Sequence, residues 1–420
     1  MNNGCRIRSL RFEELDAFTI ASWEDLEQRS LEGNAFLSPS FVIPAIRHLA
    51  VAEEQQRALF VFVEKTTASK EVIGAAIFEE SPGTLHFPAP HLKAFRSMHS
   101  YLSGLLFDRN SAREAARALF EFFCRKTKWH GVDFVNLPAD GPQAGLLEET
   151  FREFGARWHQ TDASHRAVFK PTEGGESYLN AHLPARRLKE MRRLLRRLGE
   201  GGRVNWKATF GFEVGEATVE RFLECEHKGW KGTKRTSLRS KASHENFFRE
   251  MIHRFREREQ LFFTELSVGD HIIASNVNLI SGGTGFAFKI SYDPDFAQFA
   301  PGLLNEYEFI RRSPDLTRSL TYVDSGADEG SFIDRLWVGR RALVSGVLGT
   351  SLLGNGVLSQ IGRLRRIKRR YFPPRDRRDV SRHANSVLST AVPRSTLKHK
   401  RTGLCQKSNP PAMRAFVNSQ

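Results

Sequence analysis

The chain has 420 residues, of which 40% are hydrophobic and 26% charged, with a formal net charge of +15. That length exceeds one typical core and points to two domains plus a tail. Four scattered cysteines, Cys5, Cys124, Cys225 and Cys405, exclude a disulfide framework and a paired-thiol zinc site, and no run of about 18 apolar residues is present to span a bilayer.

The charge is unevenly placed. Gly346–Gln420 carries sixteen Lys/Arg against two acids, Asp376 and Asp379, so the chain up to Ser345 is nearly neutral. The basicity belongs to the tail. Met1–Arg8 runs straight into Glu13, Glu14 and Asp16 with no apolar leader, so a reducing, cytoplasmic location is the expectation.

In the first half, helices are expected over Ser22–Arg29 and Ser40–Leu49, followed by neighbouring strands Ala58–Glu64 and Glu71–Phe78. Ala112–Arg125 reads as a helix, with Ala115, Leu119 and Phe122/Phe123 on its apolar side. Val132–Leu137 is a short buried strand, Gln143–Phe154 a helix, and Ala156–Lys170 a strand pair or one long strand. The cluster Pro171–Gly175 marks a joint.

The theme then repeats. Ala185–Leu198 is a helix with Leu188, Met191, Leu194/Leu195 and Leu198 on one side and arginines on the other. Val204–Val214 is a strand, and Ala217–Trp230 and His244–Arg258 are helices. Leu261–Ser267, His271–Ile280 and Gly285–Asp293 are strands joined by tight polar turns, with a further strand at Ser319–Asp324. Past Ser345 order is expected to weaken. Gly346–Ile361 is small, apolar and Gly-rich, and Arg363–Arg370 is a dense basic run that suits either a solvated tail or a helix touching anionic lipid.

The stretch Thr284–Arg312 carries the clearest chemistry. A Phe- and Ile-rich strand ends at Tyr292–Asp293, and Pro301–Gly302 opens a helix bearing Leu303, Leu304, Tyr307 and Ile310. Proline fits a first helical turn, and glycine leaves the next amide uncovered, so an anion such as a pyrophosphate can rest there. The same pattern also fits an ordinary crossover in an α/β domain.

Three further clusters belong with it. In Glu226-His227-Lys228-Gly229-Trp230-Lys231-Gly232, Glu226 suits a general base, Trp230 a pocket wall and Lys231 an anion contact, or the whole is a cationic helix end. In Lys289–Tyr292–Asp293, alternation puts Lys289 and Tyr292 on opposite faces of a regular strand, and Tyr292 is placed to protonate a leaving thiolate. Asp324 in Asp324-Ser325-Gly326-Ala327-Asp328 stands at the carboxyl end of a strand, where open sheets put ligand contacts and where turns also put Asp.

The order Glu-x-x-x-Trp-Lys-Gly, then Lys-x-x-Tyr-Asp-x-x-Phe-Ala-x-x-x-Pro-Gly-x-Leu, then Asp-Ser-Gly, then Leu-Trp-x-x-Arg resembles the CelD/BcsL-type acetyltransferases of the GNAT superfamily, which are associated with cellulose biosynthesis. The likeness covers roughly Tyr178–Leu343. Asn34–Ser40 carries a looser likeness in the first half.

The resemblance implies a tandem pair of GNAT-like α/β domains, each a mixed, mostly antiparallel sheet flanked by helices. They would span residues 1–172 and 173–345, with 346–420 as a basic, largely disordered tail. It further implies acetyl-CoA as co-substrate and no metal. The pyrophosphate would lie against Gln298, Pro301, Gly302 and Leu303. Glu226, Tyr292 and Asp324 would be catalytic, and Trp230, Lys231, Lys289, Asp293 and Arg193 would bind the acceptor. That acceptor would be an amine or hydroxyl of a saccharide or cell-envelope precursor.

The usual glycine-rich loop is replaced here by Pro301 and Leu303 at its two glycine positions, which keeps open a Fem-like transfer from aminoacyl-tRNA. A non-catalytic accessory protein docking through its basic tail is the remaining alternative. The arginine helix Arg186–Arg197 resembles a basic helix of the family and suits a phosphorylated acceptor. It lacks interleaved aromatics, so specific nucleic-acid recognition is not expected.

Overall fold

The computed structural model describes residues 4–371 apart from 69, 126, 127, 317 and 318, with side chains through residue 363 except that of Trp230. In the first half the elements run β1 (Cys5–Leu10), α1 (Ala17–Gln28), α2 (Pro39–Leu49), α3 (Ala52–Arg57), β2 (Ala58–Lys65), β3 (Val72–Ser81) and β4 (His91–Ala94). They continue with β5 (Leu106–Phe107), α4 (Ala112–Arg125), β6 (Gly131–Pro138), α5 (Gly141–Glu153) and β7 (Arg157–Phe169).

The second half has α6 (Gly175–His182), α7 (Ala185–Gly199), β8 (Val204–Phe210), α8 (Glu216–Lys228), α9 (Trp230–Thr233) and α10 (Ala242–Arg256). There follow β9 (Leu261–Val268), β10 (His271–Ser281), β11 (Thr284–Tyr292), α11 (Pro301–Leu316), β12 (Tyr322–Asp324), β13 (Gly339–Gly349) and α12 (Leu352–Tyr371).

The strands form one mixed, mostly antiparallel sheet flanked by helices, in the order β1-β2-β3-β4-β6-β13-β7-β12-β11-β10-β9-β8, with β5 on β3. Strand β2 is buried from Ala58 to Glu64, the unbroken apolar run of a strand covered on both faces. Helix α7 buries Leu188, Met191, Leu194 and Leu198, at helical spacing, and turns its arginines outward.

The halves are joined through shared parts. β7 pairs with β13 from Arg157 to Val168, and its last residues, Val168 and Phe169, pair with β12. One core cluster draws Phe36, Phe41 and Leu102 from the first half and Phe222, Phe247 and Phe288 from the second. The Phe41 and Phe247 rings meet edge to face at 5.4 Å.

Two expectations are corrected here. The tail does not begin at residue 346, because β13 continues to Gly349 between β6 and β7. Gly346 answers to crowding: a Cβ there would lie 2.6 Å from both the His159 carbonyl oxygen and the Trp158 ring. The 173–345 segment likewise does not own its last strand, which sits among strands of the first half. Met1–Val357 forms one compact unit, and a second begins at Leu358, inside α12. The side chains of the basic run beyond Arg363, and residues 372–420, lie outside the described residues.

Candidate active site

Strands β11 and β12 run parallel but pair only at Thr284–Tyr322, Gly285–Val323 and Phe286–Asp324. Beyond Phe286, β11 continues to Tyr292 without β12 beside it, so the sheet parts. The cause is local. In the β10–β11 register Val277 faces Lys289 and Asn278 faces Ala287, leaving Phe288 as an extra residue. Such a bulge bends a strand and increases its twist. It also sets Phe288 and Lys289 toward one side of the sheet, where the Lys289 ammonium stands 5.2 Å from the Phe288 ring centre.

The opening is lined from three directions. The Tyr101 hydroxyl donates to the Phe288 carbonyl at 2.7 Å, and the Lys231 ammonium donates to the Ile290 carbonyl at 3.2 Å. Glu226, buried on α8, accepts from Lys231 through Oε1 at 3.0 Å and from the Leu238 amide through Oε2 at 2.9 Å. Each oxygen keeps a further lone pair. His99 stacks on Phe247 at 5.3 Å, and its Nε2 lies 3.3 Å from His244 Nδ1.

Charge in this cluster is held at a cost. Burial lowers the pKa of Lys289, and Glu226 offsets this only in part; among the described residues the Lys289 ammonium has no hydrogen-bonded partner. Lys231 is lowered by burial too, again opposed by Glu226. His99 is lowered to about 2 by burial, with the neighbouring Lys289 and His244 adding to it, so it is neutral. Burial raises Tyr101 to about 12, keeping its proton on the hydroxyl.

Tyr292 points to the other face, toward the start of α11. A Cβ placed on Gly302 would meet nothing nearer than Tyr292 Cδ1, at 4.0 Å. Ala300 takes a left-handed conformation (φ 51°), which turns the chain into the helix. The first turn carries no acidic residue, and no described side chain accepts from the Gly302 or Leu303 amides. These residues fit a pyrophosphate: bare amides, room above the glycine, and the Arg197 guanidinium 5.6 Å over Phe299 on the preceding turn. In the first half the turn leading into α4 is held by the protein itself. There Asp108 accepts from the Asn110 and Ser111 amides at 2.8 and 2.9 Å.

The other expected residues fall as follows. Pro301 is buried, Leu303 half-buried, and Gln298 exposed on the turn Pro294–Phe299. Trp230 opens α9, with only its backbone described. Arg193 lies on the outer face of α7, forked onto Glu190 at 2.8 and 2.6 Å.

Two acids hold the protein together at this place. Asp293 is buried and takes Lys228 at 2.8 Å, His271 at 2.7 Å and the Asp295 amide at 3.0 Å. Asp324 is fully buried between Arg341 at 3.0 Å and Arg166 at 3.6 Å, and accepts from the Gly326 amide at 2.8 Å. Neither offers the opening a free oxygen, because each is consumed by internal cations and its own turn. Tyr101, His99 and His244 were not singled out from sequence. They lie in loops and helix ends with no periodic signal tying them to β11.

Residues 185–332 match the family model of the acetyltransferase (GNAT) domain, a segment that runs from α7 past Asp324 and contains Glu226, Lys231, Lys289, Tyr292 and Gly302. No curated protein matches the sequence. Among solved structures, FemX aligns with a TM-score of 0.51 at 10% identity over 82% of this chain and 97% of its own. The C-terminal domain of a putative lysylphosphatidylglycerol synthetase from Agrobacterium fabrum aligns at 0.48, with 10% identity over 81% and 94%. A tandem GNAT protein from the clavulanic acid biosynthesis pathway aligns at 0.40, with 13% identity over 82% and 98%. At such identity the FemX match is a likeness of fold.

Proposed function

We propose that the protein is an acyltransferase that moves an acyl group, with acetyl-CoA as the donor, to an amine or hydroxyl of an acceptor. The observation that carries this is the pair of bare amides at Gly302 and Leu303, beside a sheet that parts after Phe286, inside the matched acetyltransferase segment. When bound, acyl-CoA supplies the thioester. On this reading Glu226 takes the proton of the attacking acceptor as the new bond to the acyl carbon forms. The carbon–sulfur bond breaks as the tetrahedral centre collapses and the departing thiolate takes its proton from water, while Tyr292, on the other face beside Gly302, walls the pyrophosphate end of the donor. Lys289 and Lys231 hold an anionic part of the acceptor, and Asp293 and Asp324 fix the strand ends rather than touch it.

A saccharide or cell-envelope precursor as acceptor rests on the order of the sequence motifs. A cytoplasmic site of action rests on the acyl-CoA supply and the free thiols of Cys5, Cys124 and Cys225. Aminoacyl-tRNA as donor is a second reading, favoured by the likeness of fold to FemX and by the outward basic face of α7.

Calorimetric titration with acetyl-CoA tests the donor. Wild-type protein should bind, Gly302→Ala should bind nearly as well, and Gly302→Glu should not. Absence of binding by wild-type protein at millimolar acetyl-CoA, with turnover supported by aminoacyl-tRNA, would overturn the donor assignment.

A further inference from the structure

A cavity of about 470 Å³ opens in the first half, away from the parting of β11 and β12. It sits where the other parallel pair of the sheet ends. Strands β4 and β6 pair only at Leu92–Val132 and Lys93–Asp133, after which they diverge. The lining is mixed: Ile46 and Leu49 from α2, Phe95 beyond β4 and Val135 from β6 supply its apolar part, and Glu54, Glu79, Lys93, Arg96 and Asp133 its charged part. A volume of this size suits a small organic molecule.

Its polar equipment is unusual. Lys93 and Asp133 stand opposite each other in register, and Lys93 also stands opposite Glu79 on β3. Residues opposed in neighbouring strands share a face. Glu79 is taken by Arg57 at 3.0 Å. Yet neither Lys93 nor Asp133 forms a side-chain hydrogen bond or ion pair with any described residue, and the same holds for Arg96 at the rim. Burial pushes the Asp133 carboxyl above its usual range, with nearby cations opposing the shift. Lys93 and Asp133 are thus held opposite one another in a cavity whose remaining wall is partly apolar, each without a side-chain partner among the described residues.

We propose that this cavity binds a small zwitterion with an apolar body, of the class of a free hydrophobic α-amino acid. Its ammonium meets Asp133, its carboxylate meets Lys93 and Arg96, and its side chain lies against Ile46, Leu49 and Phe95. An α-amino acid carries both charges on one carbon. It therefore bridges two groups on strands about 4.8 Å apart that do not reach one another.

The test is a calorimetric titration of the full-length protein with L-phenylalanine, its methyl ester and 3-phenylpropionate. The zwitterion should bind, and the ester and the deaminated acid should each bind about tenfold or more weakly, as expected when one charged contact is lost. Asp133→Asn should weaken L-phenylalanine and leave 3-phenylpropionate unchanged, while Lys93→Met should weaken the acid and spare the ester. Thermal melting verifies that both variants fold, and the ligand series stands without them. Equal binding of the three compounds, or no binding of L-phenylalanine up to its solubility limit, would overturn the proposal. Acetyl-CoA binding is a separate readout, so loss of the donor assignment leaves this test intact.

Discussion

At the scale of the residue, the strongest internal tension lies in α11, one turn beyond the proposed anion site. Glu306 is buried, with Oε1 accepting from Asn276 at 2.6 Å and Oε2 without a partner. Burial raises its pKa to about 8, and the Asn276 contact offsets that only in part. The folded protein therefore keeps this proton up to about pH 8, whereas the unfolded chain releases it near 4.5. Between those values the unfolded state binds fewer protons, so stability falls as pH rises. Glu306→Gln keeps an acceptor for Asn276 and removes the titration. Its unfolding free energy from urea titration should exceed that of wild type at pH 8, by an amount on the order of a few kcal/mol, and the gap should narrow toward pH 5. Parallel pH curves for the two proteins would contradict this account. Nothing in the sequence marks Glu306: Glu306 and Glu308, in a helix that goes on to Arg311 and Arg312, read as ordinary polar positions, and only the packing of β9 and β10 against α11 buries this one.

At the scale of the element, the Trp-Lys-Gly sequence has a packing reason that its spacing does not disclose. α9 lies so close to the end of α8 that a Cβ on Gly232 would sit 1.8 Å from the His227 carbonyl oxygen. Gly232→Ala must push α9 outward and carry Lys231 away from Glu226 and the Ile290 carbonyl. The expected result is a loss of roughly 1–3 kcal/mol in stability together with a fall in turnover larger than that of Lys228→Ala, measured by denaturant titration and acyl-transfer rate. An unaltered rate would mean that Lys231 has no part in the site. Helices and strands with strong periodicity, such as α4, α7 and β9 through β11, were legible from the sequence because pattern and burial agree. The short β4, β5 and β12 were not, or only in part, because two to four residues hold too little pattern. The bulge at Phe288, which opens the site, leaves no sequence mark.

At the scale of the whole molecule, the duplication of α/β halves was legible in the order of elements, but the exchange of β13 was not. A Gly-rich apolar segment before a basic run reads as loosening chain. In the fold β13 is a strand paired on both sides, and its Gly346 is required by Trp158 and His159. A cut after residue 338 should therefore unfold both halves, whereas a cut after residue 371 leaves every described strand in place. Circular dichroism and limited proteolysis of the two truncations check this. A cooperatively melting product of the shorter one would contradict the shared sheet. Glu226, Lys231 and Lys289 lie on one face of β11 near the place where the sheet parts, and Tyr292 and Gly302 lie on the other. The first half completes that place with His99 and Tyr101, which the sequence placed nowhere near it.

The account depends above all on the Gly302 and Leu303 amides receiving the donor. Hydrogen–deuterium exchange of the intact protein, followed with and without saturating acetyl-CoA, measures this directly. Peptides covering Ala300–Leu304 and the free edge of β11 should become slower to exchange, and Gly302→Glu should abolish the change. Exchange that stays fast there, with protection appearing at another part of the molecule, would contradict the central claim.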